Sequence, residues 1–165
     1  MSHLLQINSS LFADEGQSSH LTREFVAQWL ASHPETQVKQ RDFAREPVPH
    51  LTAERFRAFT LAAEERSPEE QAAVDYSDQL IEEIQQADVI VLGLPMYNFG
   101  VPSQLKAWFD HIARAGVTFR YTENGPQGLL AGKKLYVLAA RGGQYLGTPM
   151  DTQTQYVETF FKFLG

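Results

Sequence analysis

Residues 89–94 read VIVLGL, a run with no polar side chain, and Pro95 ends it. A strand that is apolar on both sides has to be covered on both faces. The run therefore predicts a buried strand of a parallel sheet with helices above and below. The next residues are equally constraining. The loop Met96-Tyr97-Asn98-Phe99-Gly100 leads to a new helix near Ser103. In open α/β sheets, ligands bind in the crevice outside the carboxyl ends of the strands. Backbone amides, one Asn side chain and aromatic faces suit a flat ring with polar edges.

The rest of the chain supports an alternation of strand and helix. His3–Ser9 reads as a first strand. A polar loop over 10–17 comes next, then a helix from near Ser18 or Ser19, either of which can cap it. Leu21, Phe25 and Trp29, with Val26 and Leu30, give that helix an apolar face, and Pro34 ends it. Thr36–Phe43 predicts an edge strand. Residues 44–66 are charged and contain Pro47 and Pro49, with helical potential only. Ser67-Pro68-Glu69-Glu70 is a capping box with Pro at the first helical position. Its helix should turn Val74, Leu80, Ile81 and Ile84 inward. Leu105, Trp108, Phe109 and Ile112 have the spacing of one helix face. Residues 116–132 carry turn chemistry, Asn124-Gly125-Pro126 and Gly128, flanked by Phe119 and Tyr121. Leu135–Ala140 predicts a fourth sheet strand, ending in Arg141-Gly142-Gly143. A last helix is expected over Thr152–Phe163.

Composition narrows the function. The chain has 165 residues, which fits a single domain over 1–165. It has no cysteine, so disulfides, thiolate nucleophiles, Fe–S clusters and Cys-based zinc sites are excluded. A formal charge of −6 opposes binding to the polyanions nucleic acid and anionic membrane. No apolar run approaches the roughly 20 residues that cross a bilayer. Met1-Ser2-His3 leads straight into a strand without the basic-then-apolar pattern of a signal peptide. The expectation is a cytoplasmic protein with neither a nucleic-acid nor a membrane partner.

Three polar or glycine-rich loops come after the first, third and fourth sheet strands. The first joins Ser10 to Gly16, Gln17, Ser18 and Ser19 at a helix N-terminus, where free amides and hydroxyls suit a phosphate. A plain helix cap by Ser18 or Ser19 remains open for that segment. The second is Met96–Phe99, which could equally be a turn that closes the core. The third is Arg141-Gly142-Gly143, where paired glycines let a ligand approach the backbone; a simple turn with a surface Arg is the alternative. Together at one sheet edge they point to a ligand. No GxGxxG, Walker loop, GxSxG or HExxH is present. The histidines are scattered, and His111 is expected on a helix surface. Tyr121 is expected to project from its hairpin.

At these residues the chain resembles the FMN-dependent NADH azoreductases of bacteria, also called NAD(P)H:quinone oxidoreductases. The resemblance runs from the first strand to the last residue. It rests on Pro95-Met96-Tyr97-Asn98-Phe99, Gln104-Leu105-Lys106, the stretch 113–126 (ARAGVTFRYTENGP) and Arg141-Gly142-Gly143. It implies a flavodoxin-like three-layer sandwich, a parallel sheet ordered 2-1-3-4-5. It implies tightly bound FMN, with Ser10, Gly16, Gln17 and Ser18 on the phosphate. Met96, Tyr97, Asn98 and Phe99 would lie along the ribityl chain and ring, and Arg141, Gly142 and Gly143 at the pyrimidine edge. Asn98, Phe99, Tyr121 and Phe163 would border the substrate, in a homodimer whose active site is shared. The implied chemistry is ping-pong. NADH or NADPH gives hydride to the flavin, which passes it to a quinone or to an azo compound, yielding aromatic amines. No side chain offers itself as general acid, so water or a backbone-held proton source is expected. A non-catalytic, flavodoxin-type FMN electron carrier is the alternative; the long hairpin over 116–132 argues against it. An interaction module without activity is a third reading.

Two residues depart from the family pattern. Gly16 and Ala140 stand where relatives often have serine, which removes hydroxyls and leaves amides. The family's sheet also has a fifth strand in a further βα unit of about thirty residues. This chain reaches Gly165 where that strand is due. The expectation is thus a sheet without its fifth strand, by truncation or loss, with strand four an open edge.

Overall fold

The computed structural model describes residues 2–165. β1 (His3–Asn8) and β3 (Val89–Pro95) are the centre of the sheet because they carry the apolar runs; all seven residues of β3 are buried. β2 (Gln37–Asp42) pairs with β1, and β6 (Lys134–Ala140) with β3, every pairing parallel. The order β2-β1-β3-β6 is the expected 2-1-3-4 of a flavodoxin-like fold. The label skips because β4 (Phe119–Thr122) and β5 (Gly125–Gly128) form a separate antiparallel hairpin. β6 is a free edge, with Val137 39% exposed.

Successive residues of the central strands face opposite layers. Leu4, Val89 and Val91 pack with Val26, Phe25 and Trp29 of α1 (Gln17–Ser32). Leu5, Ile7, Ile90, Leu92 and Leu94 face the other way. There they meet Leu80, Ile81 and Ile84 of α3 (Pro68–Gln86) and Leu105, Trp108, Phe109 and Ile112 of α4 (Ser103–Ile112). α5 (Thr154–Leu164) joins that second layer through Val157 and Leu164. The result is helix, sheet, helix. No described helix is long and apolar enough to cross a membrane.

The local signals explain most boundaries. Ser67 Oγ accepts the Glu70 amide at 3.2 Å while Glu70 Oε2 accepts the Ser67 amide at 2.9 Å. Such a cap stabilises a helix start by about 1 kcal/mol. Residues 44–66 hold one short helix, α2 (Ala53–Ala58), and a 3-10 turn, Ala63–Glu65. α5 starts later than expected, at Thr154, because the Asp151 carboxylate accepts the amides of Gln153 and Thr154 at 3.3 and 3.0 Å. In α1, Leu21 lies outside the apolar face and is 41% exposed.

His111 corrects the expectation of a surface histidine, since it is fully buried. Nε2 donates to the Pro49 carbonyl at 2.8 Å, and the ring meets Tyr76 and Phe59 edge-on. Nδ1 has no partner among the described residues. The apolar stretch from Leu105 to Ile112 continues across position 111, so the i, i+3, i+4 pattern misplaced a residue that the segment over 44–66 covers from outside.

Burial pushes the His111 pKa below its ordinary 6.5, and nearby Arg55 adds to this; the Pro49 hydrogen bond and Asp110 oppose it. The unfolded chain therefore binds this proton more readily than the folded one. Stability is full above about pH 6.5 and falls as pH drops through that value toward the folded pKa. Urea midpoints measured from pH 7.5 to 5 should decline, and His111→Gln, which keeps a donor for Pro49 but cannot titrate, should flatten the decline.

Candidate functional site

The site is assembled where β1, β3 and β6 end together. Gly93 sets the first contact. An added Cβ there would lie 3.0 Å from Thr22 Cγ2 and 3.1 Å from the Ser18 carbonyl, so only glycine lets the start of α1 lie against β3 this closely. Beneath it, the buried Thr22 hydroxyl donates to Asn8 Oδ1 at 2.7 Å and accepts from Gln6 Nε2 at 3.1 Å. Ser9 Oγ donates to the Gly93 carbonyl at 2.7 Å. These bonds tie the start of α1 to the ends of both central strands.

The loop from Ser10 to Gly16 is closed on itself. Ser10 Oγ accepts the Phe12 amide at 3.2 Å and lies 3.4 Å from Tyr97 Oη, which in turn accepts the Leu11 amide at 3.1 Å. Tyr97 thus joins the first loop to the second. A Cβ at Gly16 would sit 2.1 Å from Ser10 Oγ and 2.5 Å from its Cβ. The glycine is therefore matched to this placement of Ser10, and a serine here would need the loop to move. α1 begins at Gln17 with Gly16 as its cap residue, and no side chain caps it. Neither Ser18 nor Ser19 is the N-cap. Both lie in the first turn, buried, and their hydroxyls have no partner among the described residues. First-turn amides have no intrahelical acceptor either. Buried hydroxyls left unpaired beside an uncapped helix start are a place where an anion satisfies several donors together.

The second loop is tight and held in unusual backbone. The Met96 amide donates to the Ala140 carbonyl at 3.1 Å, continuing the β3–β6 ladder. Tyr97 and Gly100 then exchange main-chain hydrogen bonds at 3.3 and 3.0 Å. Between them Asn98 and Phe99 have φ of 51° and 64°, a region that non-glycine residues occupy at some cost. The Phe99 ring is half-exposed and meets Tyr145 edge-on at 6.0 Å.

The third turn differs from the surface-Arg reading. The Arg141 side chain is buried. It pairs with Asp151 at 3.0 Å and donates to Thr154 Oγ1 at 2.8 Å and Gln153 Oε1 at 3.3 Å. The Thr154 amide and hydroxyl, with Arg141, hold the Asp151 carboxyl well below the usual carboxylate range. What this turn presents outward is main chain: a Cβ at Gly142 would meet nothing within 4 Å. A cleft of about 690 Å³ opens alongside, lined by Arg141, Gly143, Tyr145 and Leu146.

Residues 10, 16–18, 96–99 and 141–143 are thus brought to one rim. Tyr121 and Phe163 are not. α5 starts beside the β3 end, where Gln153 bonds Pro95 and Gly100, and its last carbonyl, Leu164, accepts the Leu130 amide at 2.8 Å. Its 11 residues span about 16 Å at ~1.5 Å each. Phe163 packs on Phe119 at 4.6 Å, far from Asn98 of the same chain, and Tyr121 projects from the hairpin, 74% exposed. The residues that sequence reasoning missed are polar and interior: Gln6, Thr22, Asp151 and Gln153. Only the polar run Asp151–Thr154 before an apolar helix hinted at any of them.

A fold with three polar loops gathered at one end of a parallel sheet defines a class, and the sequence agrees: residues 2–165 match the pattern of the flavodoxin-like fold family. Within it the chain belongs to the FMN-dependent NADH:quinone oxidoreductases. It is 60% identical over 165 residues to the FMN-dependent NADH:quinone oxidoreductase of Cellvibrio japonicus, covering all of this chain and 83% of that protein. The protein of that name from Alcanivorax borkumensis is 55% identical over 163 residues, covering 99% and 82%. Among solved structures, an azoreductase from Bacillus anthracis str. Sterne superposes with a TM-score of 0.91 at 30% identity, covering 100% and 82%. An FMN-dependent NADH-azoreductase from B. anthracis str. Ames Ancestor, in complex with FMN, gives 0.91 at 27% identity with the same coverage.

The cradle at Ser18 yields a two-sided prediction. Removing a hydroxyl that has no protein partner should leave the melting temperature of Ser18→Ala apoprotein within about 2 °C of wild type. FMN should nevertheless bind about tenfold more weakly, as expected for losing a hydrogen bond to a charged group. Calorimetric melting and quenching of flavin fluorescence measure the two sides.

Proposed function

We propose that this protein binds FMN at the shared ends of β1, β3 and β6 and uses it to carry hydride from NADH or NADPH to quinones and azo compounds. The observation that carries the reading is the pair of buried hydroxyls, Ser18 and Ser19, at the uncapped start of α1, without a partner among the described residues. Their placement matches the chemistry of a phosphate group, and the adjoining rim offers main chain and aromatic surface for a planar ring. The names of the relatives point the same way.

The residues divide the work. Ser10, Gln17 and Ser18, with the α1 amides near Gly16, hold the phosphate. Met96, Tyr97, Asn98 and Phe99 run along the sugar chain and one border of the ring. Gly142 and Gly143 contribute amides at the opposite border, and Arg141 supports that turn from below. When bound, FMN supplies the hydride chemistry. The side chain of Phe99, half-exposed at the rim, gives donor and acceptor the same apolar wall in turn, which suits a ping-pong sequence. Water or a backbone-held source delivers the proton that the acceptor needs.

Tyr121 and Phe163 enter through a second copy. They lie at the other end of their own chain, so they can border a substrate only at the rim of a partner, which supports a homodimer with shared sites. A subunit mixture tests this directly. Combining Ser18→Ala with Tyr121→Ala subunits at limiting FMN should give activity above the mean of the two parents. One site of each mixed dimer then has both elements intact.

The reaction itself is tested by anaerobic addition of NADH to the FMN-loaded protein, then of benzoquinone. Flavin absorbance should bleach and then return, and double-reciprocal plots should be parallel. Asn98→Ala, Phe99→Ala and Tyr121→Ala should lower turnover with quinone several-fold, a larger change than in FMN affinity, because their side chains border the acceptor while the main chain of the loop borders the flavin. Wild-type kinetics in all three variants would overturn the assignment.

A further inference from the structure

We infer that Gln153, a residue outside the three ligand loops, is the positioning residue of the 96–100 loop. The inference rests on the reading above that this loop borders the flavin. Gln153 is fully buried, and each of its polar atoms is used. Nε2 donates to the Pro95 carbonyl, where the loop opens, and to the Gly100 carbonyl, where it closes, both at 2.9 Å. Oε1 accepts from Arg141 at 3.3 Å. A single carboxamide therefore clamps the two ends of the loop to each other and to the end of β6.

Neighbouring residues brace the clamp. The Thr152 hydroxyl donates to the Phe99 carbonyl. Asp151 accepts the amides of Gln153 and Thr154 and pairs with Arg141. The loop they hold contains Asn98 and Phe99 at positive φ, a conformation that persists only where the surroundings over-determine it. Held this way, the amides of Asn98 and Phe99 take no protein partner among the described residues, which leaves them for a ligand. Arg141 acts here through Gln153 and Asp151.

The test uses Gln153→Met, close in volume and without hydrogen-bonding groups, beside Phe160→Leu. Phe160 stacks on Phe109 at 3.9 Å, so its truncation loosens α5 without touching the loop. In Gln153→Met apoprotein, hydrogen exchange at the bonded amides of Met96, Tyr97 and Gly100 should quicken about tenfold relative to the rest of the sheet, and FMN should bind about tenfold more weakly, the scale of one or two hydrogen bonds. Phe160→Leu should lower the melting temperature but leave loop exchange and FMN affinity within about twofold of wild type. Wild-type exchange at the three amides in Gln153→Met overturns the role of Gln153, as does equal loosening of the loop in Phe160→Leu. Failure of the wild-type protein to take up FMN overturns the site reading instead; the exchange experiment then still decides whether Gln153 holds the loop.

Discussion

β1 and β3 run in the same direction and are buried on both faces, and the rest of the molecule depends on that. Parallel neighbours end at the same edge, so the chain must leave the sheet there through successive loops before a helix carries it back. The polar groups those loops expose are gathered at one rim by topology, with no need for a separate device. Gly93 adds the second condition. It lets α1 approach β3 closely enough for the first turn of the helix to join the same rim, where Ser18 and Ser19 lie buried.

The framework was legible because it is written in patterns that water enforces. An apolar run without alternation, a capping box and the spacing of Leu105, Trp108, Phe109 and Ile112 each have one inexpensive structural solution. The rim was legible for a related reason. Loops after the strands of such a sheet fall at the carboxyl ends, so locating the strands located Met96–Phe99 and Arg141–Gly143 as well. The strand order and the resemblance to FMN-dependent NADH:quinone oxidoreductases both stood.

What was not legible is the polar interior. Sequence gives the identity of a side chain but not the partner that makes its burial tolerable. His111 read as a surface residue because nothing near it in sequence shows that the Pro49 carbonyl accepts its hydrogen bond. A surface charge was one reading of Arg141, yet Asp151, ten positions on, draws its side chain inward. A cap was the open alternative for Ser18 and Ser19, because that is the common use of serine at a helix start; the observed cap residue is Gly16, whose lack of a side chain makes room for Ser10. In each case a long-range hydrogen bond or a steric match overrode a local preference.

The two ends of α5 show how these interior contacts reach outward. Its start is fixed to the loop at Pro95 and Gly100 through Gln153. Its end is fixed to the hairpin: Leu164 accepts the Leu130 amide, Phe163 packs on Phe119, and a Cβ at Gly128 would lie 2.1 Å from the Leu164 carbonyl carbon. A two-stranded hairpin is marginal alone, so β4 and β5 take their orientation from the helix they rest on. That orientation decides where Tyr121 projects. A single rigid helix therefore sets both the loop at the rim of its own subunit and the aromatic side chain displayed at the far end of the molecule.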